Sequence, residues 1–170
     1  MERVRCQIAS PIDELTLIAE GDALVGVRFA DGSGRRWFRN DHEIAVDDAH
    51  PVLVRARRQL NEYFAGTRTD FDLPLRFGSD EFRERVWAEL STIPYGRTVS
   101  YGDVAGALGD RRLAQSVGQA VGSNPLPIVI PCHRVVGSDG SLTGFGGGLH
   151  RKRFLLELEE PADVAAARLF

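Results

Sequence analysis

The stretch Ile128-Val129-Ile130-Pro131-Cys132-His133-Arg134-Val135-Val136 constrains this chain more than any other. Two apolar, β-branched runs flank an interruption that sets a cysteine, a histidine and an arginine side by side. β-Branched residues suit a pleated, half-buried surface, so the runs read as strand. Pro131 offers no amide to a ladder and pins its own φ, so the strand must end or turn where the thiol sits. That geometry pushes Cys132 out of a hydrophobic wall. A small, inert, buried cysteine is the plainer reading, and the polar neighbours argue against it.

A chain of 170 residues holds one domain or two small ones and buries a real core. No apolar run approaches the ~20 residues that cross a bilayer, and Met1 to Cys6 lack the apolar region of a signal peptide. A cytoplasmic protein without membrane attachment is expected. In that reducing setting Cys6 and Cys132, the only cysteines, stay free thiols. Adjacent Cys132 and His133 chelate poorly, and Cys-x-x-Cys and His-x-x-x-His spacings are missing, so neither metal nor cofactor is expected. The net charge of −3 argues against a strongly basic nucleic-acid binder. Yet residues 97 to 153 carry seven basic side chains against three acids, a local +4 that could sit on phosphate.

Residues 3–10, 15–20 and 23–30 read as an antiparallel meander, with turns at Ser10-Pro11-Ile12-Asp13 and Glu20-Gly21-Asp22. Residues 31–50, with Asp31-Gly32-Ser33-Gly34, read as an irregular or mobile loop. Pro51 opens a helix to about Ala65, with Leu53, Ala56, Leu60 and Phe64 on one face. Phe71 to Phe77 reads as a short strand leading to a second domain. The expected division is 1–76 and 77–170.

In the second half, Ser79 is the expected cap of a helix carrying Phe82, Val86, Trp87 and Leu90. Ser100-Tyr101-Gly102-Asp103 has capping-box spacing and starts a short helix. Gly109-Asp110 breaks it, and a further helix runs from about Arg112 to Ser123, before Pro125. Two helices around a Gly-containing turn make a helix-turn-helix. The outward positions Gln115, Ser116, Gln119, Gly122 and Ser123 are small or uncharged, which suits close approach to a backbone or narrow groove better than base-by-base reading. Beyond Cys132, Ser138-Asp139-Gly140-Ser141 signals a hairpin turn. Thr143-Gly144-Phe145-Gly146-Gly147-Gly148 reads either as a ligand-hugging loop or as a plain connector. A last helix, His150 to Glu159, is expected to bury Phe154, Leu155 and Leu158.

From the residues alone, a histidine or cation beside a thiol lowers its pKa toward the neutral range. Glu159 is the carboxylate best placed to orient His133, while Arg134 serves equally as a charge or a structural pair. An activated cysteine attached to a DNA-docking element implies chemistry on DNA.

Pro131-Cys132-His133-Arg134-Val135-Val136, preceded by Asn124-Pro125-Leu126-Pro127, resembles the active-site signature of the O6-alkylguanine-DNA alkyltransferases. Phe82-x-x-x-Val86-Trp87, Ile93-Pro94-Tyr95-Gly96-x-Thr98-x-Ser100-Tyr101-Gly102 and Gly146-Gly147-Gly148 extend the resemblance over roughly residues 77–160. It implies an α/β fold: an N-terminal ribonuclease-H-like domain packed on a winged helix-turn-helix-like C-terminal domain. It also implies a monomer acting on double-stranded DNA that contains alkylated guanine. Cys132 would accept the alkyl group irreversibly and once. A water held by His133, oriented by Glu159, would take the thiol proton. Asn124 would brace the cysteine's turn, and Tyr101 would crowd a phosphate and help extrude the base, the general route to an atom inside a duplex. Val135, Ser138, Phe145 and Gly146 would line the base pocket. Tyr101, Gln115, Gly118 and Gln119 would meet DNA.

Two positions depart from the family's pattern. Gln115 stands where an arginine usually fills the gap left by the flipped base, and Phe145 stands where a tyrosine is common. Gln115 brings no charge and less stacking area. These departures keep alive a sensor that binds alkylated DNA without reacting. A cysteine hydrolase would leave the helix-turn-helix unexplained, and a plain DNA-binding regulator would leave Pro131-Cys132-His133 unexplained.

Overall fold

The first strands come from short β-rich apolar runs set apart by turns. In this computed structural model, which describes residues 2–32 and 40–167, β1 (Arg3–Ile8), β2 (Leu15–Glu20) and β3 (Ala23–Phe29) form an antiparallel meander. A fourth strand, β4 (Ala45–Val46), pairs parallel with β1, so the sheet order is β3-β2-β1-β4. The loop expected over 31–50 therefore contains a strand; the part of that expectation on 33–39 lies outside the described residues. Parallel pairing joins residues far apart in sequence, and two residues show no period.

The central strand β2 is buried on both faces. Leu15, Leu17 and Ala19 enter the main core, while Ile18 packs with Val25 and Ile44 on the other face. Helix α1 (Pro51–Phe64) lies on the first face. Pro51 sits where the helix needs no amide donor, and His50 Nδ1 accepts from the Val52 amide. Leu53, Ala56, Leu60 and Tyr63 repeat at helical spacing and are fully buried. Each of the two leucines contributes ~2 kcal/mol by leaving water.

The segment expected as a strand at 71–77 makes a single bridge, Leu24 with Leu75, through amide bonds to Pro74 O and from Arg76. Pro74 removes a donor in mid-segment, so the ladder does not grow. Helix α2 (Glu81–Leu90) follows, and its cap is Asp80, whose carboxylate accepts from the Arg83 amide at 2.9 Å. The expected Ser79 lies one residue too early. Trp87 on α2 is fully buried and its indole donates to Ala120 O at 2.8 Å.

Ser100 and Asp103 form the complete capping box at the start of α3 (Tyr101–Ala107). One turn of 3-10 helix at Arg111–Leu113 leads into α4 (Ala114–Gly122), which completes the helix pair. Val117, Ala120 and Val121 face the core, and Gln115, Ser116, Gln119 and Gly122 are exposed. Ser123 is a correction: it is buried, with its hydroxyl turned back to Ala120 O. β5 (Val99–Ser100) pairs parallel with β6 (Val135–Val136) beside these helices. Residues 137–141 make the expected turn, but β6 finds its partner in β5 and no hairpin forms.

Helix α5 (Leu149–Glu159) departs most from expectation. Of the three apolar residues assigned to its inner face, only Leu155 is buried; Phe154 and Leu158 are half-buried. Its innermost positions are Arg151, Lys152 and Glu159, because that face meets carbonyl groups and a histidine rather than an oil-like surface. A short helix, α6 (Ala162–Ala167), ends the described chain. One core cluster runs through both halves, and the Val27 amide of β3 donates to Pro125 O across them. No helix among the described residues is long and apolar enough to cross a membrane.

Candidate active site

The interruption at Pro131 produces a turn, and the β-rich run before it is not a strand. Pro127 and Pro131 bracket Ile128-Val129-Ile130 and deprive it of ladder donors. The Ile130 amide bonds back to Leu126 O, and that of Cys132 to Ile130 O at 2.7 Å. Ile128 takes φ 75°, a left-handed conformation that costs a β-branched residue ~1–3 kcal/mol. Two features hold it there. Its side chain is buried, and Asn124 spans the turn, donating from Nδ2 to Ile130 O and accepting from the Leu126 amide, both at 2.9 Å. Cys132–Arg134 then form one turn of 3-10 helix, which turns three consecutive side chains inward.

Glu159, at the end of α5, gathers the polar groups of this turn. Its Oε2 accepts from Tyr63 Oη at 2.5 Å, His133 Nε2 at 2.7 Å and Arg134 Nη2 at 2.9 Å. Its Oε1 accepts from Arg134 Nε at 2.7 Å, making the arginine bidentate. Arg134 Nη1 donates to Ile93 O at 2.6 Å. Burial works to raise the Glu159 carboxyl, but its bonds from His133, Arg134 and Tyr63 hold it down at about 2.

The ionisation of Glu159 fixes the histidine. Burial lowers the pKa of His133 against the pull of Glu159, so the ring is neutral near pH 7. Facing a carboxylate, Nε2 must carry the proton; Nδ1 then carries a lone pair. Nδ1 is buried and has no hydrogen-bond partner among the described residues. An oriented imidazole with its basic nitrogen free is a proton acceptor in waiting.

Cys132 itself is 4% exposed. Burial pushes its thiol up to about 11, against the pull of Asn124 and of the Lys152 charge. The expected fall into the neutral range does not occur at rest: desolvation outweighs the neighbours. The thiol opens onto a cleft of about 20 Å³ lined by Phe29, Gly122, Asn124, Phe145, Gly146 and Gly147, among others, room for about one water. Gly147 cannot carry a side chain, because a Cβ would stand 2.5 Å from the Phe29 ring and 2.7 Å from that of Phe145. Phe29 and Phe145 meet edge to face at 6.1 Å.

Of the other expected positions, Phe145 and Gly146 line the cleft, whereas Val135 is buried without lining it and Ser138 is exposed in the 137–141 turn. Tyr101, half-buried on α3, lies against Gly118 of α4 and accepts at its hydroxyl from Thr143 at 3.0 Å. Gln115 and Gln119 are exposed on α4. Arg111 and Arg112, near Gln115, pair with Asp103 and Asp110.

Three residues that sequence reasoning passed over belong to this region. Tyr63 comes from α1. Lys152, the chain's only lysine, is fully buried and donates to Val135 O and Thr143 O at 2.6 and 2.7 Å. Arg151 reaches Ile12 O, Asp13 and Asp31 in the first half and Gly147 O in the second, over the Phe29 ring. Only the isolation of Lys152 among arginines was a signal in the sequence.

Fold and site together define an α/β protein whose helix-turn-helix half carries a buried cysteine served by an oriented histidine. Residues 5–77 match the ribonuclease-like domain of 6-O-methylguanine DNA methyltransferase, and residues 81–161 match its DNA binding domain. The chain is 45% identical over 166 residues to the methylated-DNA–protein-cysteine methyltransferase of Mycobacterium bovis, covering 92% of this chain and 94% of that one. It is 39% identical over 154 residues to the constitutive methyltransferase of that name from Bacillus subtilis, covering 88% and 91%. It also superimposes on the crystal structure of Mycobacterium tuberculosis OGT in complex with DNA, with a TM-score of 0.84 and 43% identity over 95% of this chain and 97% of that one. The chain belongs to the 6-O-methylguanine DNA methyltransferase family.

Proposed function

We propose that this protein repairs alkylated DNA directly, moving the alkyl group from O6 of guanine, with O4 of thymine as a further substrate, to Sγ of its own Cys132. The observation that carries the reading is His133: a neutral ring held by Glu159 with a free basic nitrogen, next in sequence to a thiol that opens on a cleft. The residues divide into an N-terminal part, 1–76, and a DNA-binding and acceptor part, 77–170, acting as a monomer on duplex DNA.

α4 presents its small exposed face to the minor groove, with Gln115 at the gap and Gly118 and Gln119 against the backbone. Tyr101 crowds the phosphate, and the nucleotide turns out of the stack. The resting cleft takes about one water, so the base enters as the segment around Gly144, Phe145 and Gly146 moves aside. His133 Nδ1 then accepts the Cys132 proton through one water. The thiolate attacks the alkyl carbon, an S–C bond forms, and the C–O bond breaks with its electron pair left on guanine. A proton returns to the base, so thiol and alkylguanine become thioether and guanine. General-base help of this kind contributes ~10²–10⁴-fold. The family resemblance implies that the thioether is not cleaved, so each molecule acts once.

Intact mass after mixing with duplex DNA carrying one O6-methylguanine tests the reading. A stoichiometric gain of one methylene on the Cys132 peptide, absent in Cys132→Ala, is expected. Lesion DNA bound with Cys132 unmodified would make the protein a damage sensor; repeated turnover of an acyl ester would make it a hydrolase.

A further inference from the structure

The first half of the molecule delivers one side chain to the carboxylate that orients His133. Tyr63, on α1, is fully buried and donates to Glu159 Oε2 at 2.5 Å across 96 residues of sequence. Its ring packs among Phe64, Phe71 and Tyr95 at 5.4, 5.5 and 6.3 Å between centroids. Phenylalanine would fill that aromatic place as well, without the cost of desolvating a hydroxyl. Among the described residues the hydroxyl's partner is Glu159, shared with His133 on the same oxygen.

We infer that Tyr63 is a positioning residue for the alkyl transfer, acting through Glu159 to keep the His133 ring aligned with Nδ1 free. The inference rests on the function proposed above and gives the N-terminal half a part in the chemistry. Arg134 grips Glu159 edge-on through both oxygens and sets the plane of the carboxylate, while Oε2 is the oxygen that His133 uses. Tyr63 approaches from a different element of the shared core and adds a further donor on that same Oε2, holding it in place for Nε2 of His133. Because the donor comes from α1, a small separation of the halves would release Glu159 and slacken the base.

The test measures methyl transfer within the preformed lesion–DNA complex, so that binding drops out. Tyr63→Phe should slow the bound-state rate about tenfold, the loss of one hydrogen bond to a charged group, ~1.5 kcal/mol, with DNA affinity unchanged. Repeated in a Glu159→Gln background, the same substitution should change the rate less than twofold, because its effect travels through Glu159. The Glu159 carboxyl, followed by carbon NMR, should titrate higher in Tyr63→Phe than in the parent. A role in packing alone predicts equal losses in both backgrounds, or a lower melting temperature with an unchanged rate; either result overturns the inference. Should Tyr63→Phe fail to fold, a ring-fluorinated tyrosine at 63 preserves the shape and alters donor strength. A rate that follows donor strength supports the assignment, and an indifferent rate overturns it. A parent protein that takes up no methyl removes the parent reading and this one together. An active parent with an equally fast Tyr63→Phe removes this one alone.

Discussion

Cys6 and Cys132 are both buried, and burial pushes both thiols up to about 11. Neither burial nor acidity separates the nucleophile from the packing residue. Cys6 lies in β1 opposite Leu17, fully enclosed by the sheet and α1, with both its backbone groups committed to the strand. Cys132 lies at the first residue of a 3-10 turn, facing a cleft, with a neutral imidazole following it in the chain. On the function proposed above, reactivity is a matter of access and of a proton acceptor supplied when substrate arrives. A thiol kept protonated at rest is also spared from stray oxidation, because the thiolate is the reactive species.

The largest test of this contrast exchanges the two cysteines' fates. Cys132→Ala should abolish methyl uptake, and Cys6→Ala should leave the rate within twofold at a stability cost of about 1 kcal/mol. Native-state alkylation by iodoacetamide should label Cys132 alone. Its rate should climb about tenfold per pH unit from 7 toward 11, since below its pKa the thiolate fraction rises in that proportion. Labelling of Cys6 at a comparable rate, without unfolding, would erase the distinction of access. His133→Phe addresses the second half of the contrast. It should slow transfer ~10²–10⁴-fold while lesion binding persists, as expected for a lost general base. A loss below tenfold would mean that the cleft alone makes the difference.

Much of the frame was legible from local signals. The meander, α1 and the Ser100–Asp103 capping box each declare themselves within a few residues, through β-rich runs between turns, helical period or side-chain-to-amide spacing. What was missed needed partners far away. The Ile128–Ile130 run has strand composition, yet prolines on both sides and the Asn124 brace fold it into a turn. β4 exists because β1 is there to pair with it. At α5, a pattern that marks an apolar face says nothing of Arg151 and Lys152, which are drawn inward by carbonyls of other segments. On α1 the expected inner face ended at Phe64, yet Tyr63 is the fully buried residue and Phe64 only half-buried, and no local pattern says what the Tyr63 hydroxyl meets. Cys132, His133 and Glu159 were legible from the residues alone as a thiol, its neighbour and the carboxylate best placed to orient it; the resemblance added their roles, and the structure adds the tautomer and the resting charge.

Gln115 sharpens the contrast at the DNA side. It is exposed on α4, and the nearby Arg111 and Arg112 make only exposed surface pairs with Asp103 and Asp110. Gln115→Arg should raise the overall repair rate about tenfold, with the rate after base entry unchanged, because the added charge and stacking area stabilise the flipped state. A change in the bound-state chemical rate instead would place Gln115 nearer the reacting atoms than α4 allows.

Phe145 should give the smallest effect, and it tests how far the cleft differs from a mere opening. Its ring lines the cleft beside Gly147 and packs edge to face on Phe29. Phe145→Tyr adds one hydroxyl to a half-buried ring. If that hydroxyl reaches the departing O6, one hydrogen bond made only as charge develops there is worth about 1 kcal/mol, or roughly fivefold in the bound-state rate. The expected outcome is a rise of that size in the chemical step with DNA affinity constant. A tighter complex with no change in rate would show that the hydroxyl meets the base in the ground state. The ring would then act as a wall of the cleft, and proton return to guanine would fall to another donor, with the Tyr101 hydroxyl, which accepts from Thr143 and keeps its own proton to give, the nearest in kind.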